Sequence, residues 1–116
     1  MSGLTDCGIV SWLEWLEVAR EVFVGAYEPL TINICVIRGH DRLVVVDSRS
    51  SATEGAELAA DLTWFAPARV QALINTHAHF DHTFGNQHFG HGWATAVPIY
   101  GHHLLPAHLD RYEGPR

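Results

Sequence analysis

Residues 76–82 read Thr-His-Ala-His-Phe-Asp-His, which places four candidate metal ligands within six residues. In an extended segment, residues i and i+2 project to the same side, so His77 and His79 can bind one ion together. A turn after His79 then directs Asp81 and His82 towards a second ion. Imidazole and carboxylate groups are ligands for zinc, and also for iron or manganese. The alternative interpretation is a solvated, histidine-rich loop with no ligand role.

This donor pattern is suited to hydrolysis. Two ions about 3.5–4 Å apart clamp the reacting oxygens and activate a water molecule. A metal-bound water with a pKa of about 7 supplies hydroxide at neutral pH. Asp81 can bind the second ion and orient that hydroxide, so we predict it to be the catalytic residue. The predicted metal ligands are His77, His79, Asp81 and His82.

Composition restricts the other classes of function. The chain has 116 residues and a formal net charge of -6, which allows one domain. A hydrophobic fraction of 47% excludes wholesale disorder. The acidic balance argues against a nucleic-acid partner, whose phosphates favour basic proteins. No apolar run approaches the roughly 20 residues of a membrane-spanning helix, so we expect no membrane contact.

The cysteine content and the N-terminus both bear on location. Only Cys7 and Cys35 are present, too few for a disulfide framework of the secreted type, which favours a reducing compartment. The first residues also lack the basic and apolar regions of a signal peptide. We therefore expect a cytoplasmic protein.

The hydropathy pattern predicts strands that alternate with helices, with a loose N-terminal segment at 1–14 and a domain at 15–116. Ser51 and Glu54 have the spacing of a capping box at the start of a helix. We expect the 43–47 strand to be buried on both faces, and Trp15 and Trp64 to lie in the core. Strands are predicted at 15–25 (two short strands or one bent strand), 31–37, 43–47, 70–75 and 97–100, and helices at 51–65 and 102–109.

The 76–82 stretch resembles the His-x-His-x-Asp-His signature of the metallo-β-lactamase superfamily. The following residues 83–86, Thr-Phe-Gly-Asn, resemble a hydrolase-like subgroup of it. Upstream, 31–37 resembles an early Asn-x-Tyr-x-Ile strand of the family. Residues 43–48 resemble its apolar strand that ends in Asp-Thr-Gly, although Ser48 and Arg49 replace the Thr and the Gly. The resemblance extends over most of the chain, from about residue 15 to about residue 109.

The resemblance implies an α+β fold of the αββα sandwich type, of which this chain matches the N-terminal half only. It assigns His77 and His79 to a first metal site, and Asp81 and His82 to a second. It also implies that Asp47 supports the metal loop through hydrogen bonds. In the family, the third His of the first site, a bridging Asp and a last His come later in the chain. The implied cofactor is Zn²⁺, as one or two ions, with iron or manganese as alternatives.

The implied activity is hydrolysis of a small-molecule ester, thioester, amide (including a lactam) or phosphoester by a metal-bound hydroxide. One alternative is a catalytically inert fragment or binding module that retains the metal loop. A further alternative is a di-iron redox relative. The predicted sheet is apolar on both faces, and the 51–65 helix covers only one of them. We therefore expect a second half-domain or a homo-oligomer to cover the other face.

Overall fold

The computed structural model of the chain describes residues 14–66, 68–92 and 97–112, so most of the predicted 1–14 segment lies outside the described residues. In chain order, the strands and helices are β1 (Leu16–Ala19), β2 (Val22–Tyr27), β3 (Ile32–Arg38), β4 (Arg42–Val46), α1 (Ala52–Phe65), β5 (Arg69–Ile74), α2 (Phe80–Thr83), a π-helical turn (His88–Gly92), β6 (Ile99–Tyr100) and α3 (Leu105–Tyr112). No helix within these ranges is long and apolar enough to cross a membrane.

The strands form one six-stranded sheet in the order β1-β2-β3-β4-β5-β6. Strands β1 to β4 pair antiparallel, whereas β4, β5 and β6 run parallel. The parallel pairing of β4 and β5 requires a crossover, which α1 supplies. The carboxyl ends of β4, β5 and β6 therefore meet at one edge of the sheet, which we call the site edge.

Helix α1 begins where the sequence predicts. The Ser51 side chain accepts a hydrogen bond from the Glu54 backbone N–H at 3.1 Å. The Glu54 carboxylate in turn accepts one from the Ser50 N–H at 3.0 Å. The first bond satisfies an N–H that the first helical turn leaves without a partner, and the second pairs the N–H just before the N-cap. The capping motif thus sets the point at which the chain leaves the site edge and turns back across the sheet.

The core lies between one face of the sheet and the helices. Strand residues that are almost fully buried project towards α1, and Phe89 of the π-helical turn closes the same side with 0% exposure. Helix α1 contributes Leu58, Ala59 and Leu62 to this cluster. The strand residues of the core are Ile34, Val36, Leu43, Val45, Val70 and Leu73. Helices on one face of a mixed sheet make an α+β layered arrangement, as predicted.

Two predictions about burial are wrong. Strand β4 is not buried on both faces: Leu43 and Val45 are fully buried, but Val44 and Val46 are only partly buried. In the described part of the chain, the core cluster includes residues from one face of β4 only. Trp64 is 68% exposed because it lies two residues after the buried Leu62, on the opposite side of the helix.

The segment boundaries also differ from the sequence prediction in the last third of the chain. The stretch after residue 82, predicted as loop, contains the end of α2 and the π-helical turn at His88–Gly92. Strand β6 is shorter than the predicted 97–100 strand, and α3 begins at Leu105, after the predicted position 102. Short elements of this kind depend on tertiary packing more than on local pattern, since propensity is a weak guide over so few residues.

Three backbone segments approach closely around Gly85. A Cβ built on Gly85 would lie 1.8 Å from the Ser48 carbonyl oxygen, and one built on Gly55 would lie 2.6 Å from the Gly85 carbonyl oxygen. The Gly85 N–H donates to the Arg49 carbonyl oxygen at 3.0 Å. Only glycine permits this spacing, so α1, the end of β4 and the segment after α2 are held in direct backbone contact.

Replacement of Gly85 tests this contact. We expect Gly85→Ala to lower the free energy of unfolding by about 3 kcal/mol or more, because the added methyl group overlaps backbone that cannot move aside. Urea denaturation followed by circular dichroism measures the change. Gly90→Ala is the matched control, since its Cβ would meet only the Ile99 Cδ1 atom at 3.9 Å. Its stability should stay within about 1 kcal/mol of the parent, and an equally stable Gly85→Ala would contradict the packing.

A polar contact joins β2 to α1 near the site edge. The Tyr27 hydroxyl donates to the Asp61 carboxylate, and the Arg49 guanidinium lies over the Tyr27 ring at 4.1 Å. Arg49 also forms an ion pair with Glu57 at 3.1 Å. Burial, together with the hydrogen bond to Asp61, raises the pKa of Tyr27 above its ordinary value. The neutral phenol is therefore the form that the fold stabilises.

This pKa shift makes stability depend on alkaline pH. Because the folded pKa of Tyr27 exceeds the unfolded value of about 10, its contribution is complete below that pH and is lost as the pH rises above it. We expect the free energy of unfolding to fall more steeply between about pH 9 and pH 11 in the parent than in Tyr27→Phe. Urea titrations across this range measure both slopes, and Tyr100→Phe serves as the control. Identical slopes for the parent and Tyr27→Phe would disprove the linkage.

Candidate metal centre

The predicted ligands lie in the loop that follows β5 at the site edge. The Ala78 and Thr83 side chains are buried beneath this loop, whereas His77 and His79 are exposed. The Thr83 hydroxyl donates to the His79 carbonyl oxygen at 3.1 Å. Small buried residues therefore anchor the segment, while its imidazole groups face outwards.

Asp47 connects this loop to the end of β4. Its side chain is only 4% exposed. The Asp47 Oδ1 atom accepts a hydrogen bond from the Thr76 N–H at 2.8 Å, and Oδ2 accepts one from the Thr76 hydroxyl at 2.8 Å. The His82 Nδ1 atom lies 2.7 Å from the same Oδ2. A buried carboxylate needs such partners, and those found among the described residues come from the histidine-rich loop.

These hydrogen bonds define which ring nitrogens carry protons. An ionised carboxylate only accepts, so a neutral His82 must carry its proton on Nδ1 and leave the Nε2 lone pair available. The Thr76 hydroxyl gives its one proton to Asp47 and lies 2.7 Å from the His77 Nδ1 atom, which must then be the donor. Both imidazoles therefore present Nε2 as an electron-pair donor. A carboxylate or hydroxyl partner on the other ring nitrogen is the usual support for a metal-binding histidine.

The rings of the motif lie together on the outside of the loop. The His77 ring centroid is 4.2 Å from that of His82 and 4.7 Å from that of His79. The Asp81 carboxylate is 22% exposed and lies with its Oδ1 atom 3.9 Å from the His82 Nε2 atom. The structure therefore brings all four predicted ligands into one cluster at the site edge.

A second set of hydrogen bonds holds the His82 backbone. The His82 carbonyl oxygen accepts from the Ser48 N–H at 2.9 Å and from the Asn75 side-chain amide at 3.2 Å. Asn75 and Asn86 exchange side-chain amide hydrogen bonds at 2.7 and 3.1 Å, and the Ser48 hydroxyl donates to the Asn86 Oδ1 atom at 2.7 Å. The buried polar groups of Ser48 and Asn75 are thereby paired, and the loop is fixed at both its backbone and its side chains.

The donor chemistry of the cluster suits a divalent cation, because three imidazoles and a carboxylate are ligands of zinc, iron and manganese. Its geometry is less complete. Within residues 14–66, 68–92 and 97–112, no group of three or more His, Cys, Asp or Glu side chains is arranged so that it could hold a metal ion. The residues present thus have the chemistry of metal ligands, although the described residues do not assemble a complete site.

Comparison with known proteins identifies the family. The family model described as the metallo-β-lactamase superfamily matches residues 27–116. The chain belongs to the metallo-β-lactamase superfamily. Members of this superfamily are in general metal-dependent hydrolases that bind divalent metals such as zinc. No curated protein sequence gave a significant match.

Solved structures show the metallo-β-lactamase fold. The DIM-1 metallo-β-lactamase is similar with a TM-score of 0.70 at 17% identity, over 89% of this chain and 48% of its own. TMB-1 is similar with a TM-score of 0.68 at 21% identity, over 92% of this chain and 50% of its own. A metallo-β-lactamase from Hirschia baltica is similar with a TM-score of 0.66 at 22% identity, over 82% of this chain and 45% of its own. The chain therefore spans about half the length of the structures that it matches, as the predicted partial domain requires.

Three residues that hold the loop of this superfamily member in place were not predicted to do so. Ser48 was identified only as a departure from the family pattern, and Asn75 and Asn86 were not singled out. The signal was present in the sequence: a polar Asn that ends an apolar strand needs a buried partner. What could not be read is that Ser48 and Asn75 both donate to the carbonyl oxygen of His82, and that the Asn86 side chain binds both of them.

Replacement of Asp47 tests the tautomer assignment. In Asp47→Asn, the new amide donates to the His82 Nδ1 atom, so we expect the His82 proton to move to Nε2. Long-range ¹H–¹⁵N NMR spectra at about pH 8, where free imidazole is neutral, distinguish the two tautomers. The loss of a charged acceptor should also lower the free energy of unfolding by about 1–3 kcal/mol.

Asp41→Asn is the matched control for this substitution. Asp41 is exposed, and its carboxylate forms only a long ion pair with Arg42 at 3.6 Å among the described residues. We expect it to leave both the His82 tautomer and the stability unchanged. A parent protein in which His82 already carries its proton on Nε2 would show the assignment to be wrong.

Proposed function

We propose that this chain carries the metal-binding loop of a metallo-hydrolase, with His77, His79, Asp81 and His82 as its ligands. The observation that supports this proposal best is the Asp47 hydrogen-bond network. Asp47 holds the His82 Nδ1 atom towards the protein. Through the Thr76 hydroxyl, it also holds the His77 Nδ1 atom towards the protein. A solvated loop with no ligand role has no need for a buried carboxylate that orients two of its imidazoles.

A divalent cation bound here would supply Lewis acidity and activate a water molecule for attack. The roles of the protein groups follow from their positions. The His77 and His82 Nε2 atoms face outwards as ligands, and Asp47 keeps them in that orientation. The Asp81 carboxylate is accessible and adjacent to His82 Nε2, so it can bind the ion and accept a hydrogen bond from the attacking water.

The proposed reaction is hydrolysis of a small-molecule ester, thioester, amide (including a lactam) or phosphoester. The similarity to solved β-lactamases is below 25% identity and concerns the fold, so it does not select among these bonds. Zinc is the proposed ion, with iron or manganese as alternatives. The cytoplasmic location and the 15–116 domain boundary remain predictions of the sequence.

Metal stoichiometry tests the proposal directly. We expect purified protein to bind Zn²⁺ in isothermal titration calorimetry, and His79→Ala to lose at least ten-fold in affinity because one of few donors is removed. Asp81→Asn should also bind more weakly, but it should unfold at the same urea concentration as the parent, since Asp81 has no close hydrogen bond among the described residues. The three proteins are compared at one pH, with elemental analysis as a second measure.

His40→Ala is the matched control. His40 is an exposed imidazole in the turn between β3 and β4, at the opposite end of the sheet from the site edge. Its removal should leave metal affinity unchanged. A near-zero metal content that is the same in the parent, His79→Ala and His40→Ala would exclude the proposed ligand role.

One observation supports a second candidate, an inert module that retains the loop. The described residues contain no complete three-ligand group, and the chain spans about half of the matched structures. Turnover of a generic ester or lactam distinguishes the two candidates: metal-dependent hydrolysis well above background excludes the inert module. Visible absorption by the purified protein would instead indicate bound iron, and it would favour the di-iron redox alternative.

A further inference from the structure

The turn that leads from β4 into α1 has an unusual backbone. Of the four non-glycine residues with a positive φ in the described ranges, two lie in this turn, Asp47 at 74° and Arg49 at 76°. A side chain is sterically disfavoured in this left-handed region, which glycine adopts freely. Such conformations persist only where the surrounding contacts determine them. The contacts of the turn must therefore hold it in this form.

The side chains of this turn divide between two parts of the molecule. The Asp47 Oδ2 atom lies 2.7 Å from the His82 Nδ1 atom. The Ser48 hydroxyl donates to the Asn86 Oδ1 atom at 2.7 Å. Both contacts are with the segment that contains and follows the predicted ligands. The charged group of Arg49 instead contacts β2 and α1. Its side chain therefore attaches the turn to the body of the fold.

The Arg49 guanidinium is buried between β2 and α1. The Arg49 side chain is only 9% exposed. Its Nη1 atom donates to the Glu57 carboxylate at 3.1 Å and to the Glu54 carbonyl oxygen at 3.4 Å. The guanidinium lies over the Tyr27 ring, 4.1 Å from its centroid. A buried cation is stabilised by an opposite charge, by hydrogen bonds and by an aromatic face, and Arg49 has all three.

The conformation of Arg49 affects Asp47 because the turn is short and both of its ends are fixed. The sheet holds the end of β4, and the capping motif holds the start of α1. A change of φ at Arg49 must therefore be compensated by changes at Asp47 and Ser48. The bond between Asp47 Oδ2 and His82 Nδ1 tolerates little movement, since hydrogen bonds weaken steeply when they are misaligned.

We propose that Arg49 is a positioning residue for the histidine-rich loop. Its buried guanidinium holds the turn in the left-handed form that aligns Asp47 with the His82 Nδ1 atom. Arg49 acts through its contacts with β2 and α1, at a distance from the ligands themselves. The consequence for metal affinity rests on the proposed function, whereas the consequence for the His82 tautomer does not.

The His82 tautomer in the metal-free protein tests this proposal. Arg49→Gly removes the guanidinium and leaves a residue that adopts a positive φ without strain. In long-range ¹H–¹⁵N NMR spectra at about pH 8, we expect the ratio of the Nδ1–H to the Nε2–H form to fall at least about five-fold, the effect of losing one ordinary hydrogen bond. A ratio equal to that of the parent overturns the proposal, whatever the change in stability.

Zn²⁺ affinity, measured by isothermal titration calorimetry, is the second readout. It should also fall in Arg49→Gly, because the Nε2–H form of His82 has no lone pair at Nε2 for a metal. A parent that binds no Zn²⁺, together with a tautomer shift in Arg49→Gly, supports the positioning role and contradicts only the proposed function.

Arg38→Ala is the matched control. Arg38 forms an ion pair with Glu21 at 2.7 Å and lies 4.6 Å from the centroid of the Phe23 ring. It thus makes the same two kinds of contact as Arg49, but at the opposite end of the sheet from the site edge. Its removal should leave the His82 tautomer unchanged. An equal tautomer shift in Arg38→Ala would reflect general loosening of the fold and would overturn the proposal.

Glu57→Gln is the second variant and decides if Arg49→Gly fails to fold. The Glu57 side chain is 62% exposed, so the chain accepts this substitution, which removes the charge that holds the guanidinium. We expect the tautomer ratio of His82 to move in the same direction as in Arg49→Gly, by a smaller factor. An unchanged ratio in Glu57→Gln, without a folded Arg49→Gly, overturns the proposal.

Discussion

The buried carboxylate of Asp47 is the interaction on which the site edge depends. It terminates β4 in a left-handed conformation with a φ of 74°, which turns the side chain back towards the loop after β5. Its oxygens accept from Thr76 and His82, so a charge that would be costly to bury is compensated by hydrogen bonds. The same bonds determine where the imidazole protons lie. The attachment of the loop and the orientation of its imidazoles thus depend on one group.

The surrounding structure makes this arrangement rigid. The His82 carbonyl oxygen is held by Ser48 and Asn75, and the Asn75–Asn86 amide pair ties the segment after α2 to the end of β5. Gly85 brings that segment into backbone contact with Ser48. Functional groups perform best when a supporting shell limits their freedom, and here the support comes from three separate strands and loops.

The two faces of the sheet have different roles. One face packs on α1 and the π-helical turn and supplies the cohesion of the fold. The other carries mainly apolar side chains, including Val24, Ile37 and Val44, which lie outside the core cluster of the described residues. The loop after β5 leaves the carboxyl edge of the sheet, so a layer placed on the uncovered face would approach residues 76–82. The chain spans about half the length of the matched structures.

Several features that depend on local chemistry could be predicted from the sequence: the donor types and spacing of residues 77–82, the capping of α1 by Ser51, most strands and helices along the chain, and the family. These are readable because periodicity, caps and short motifs act between near neighbours. Tertiary structure alone decided the rest. Asp47 and His82 are 35 residues apart, and no local pattern shows that their side chains meet. Likewise, the composition of β4 indicates burial on both faces, but burial depends on which elements cover each face, and the described helices cover only one.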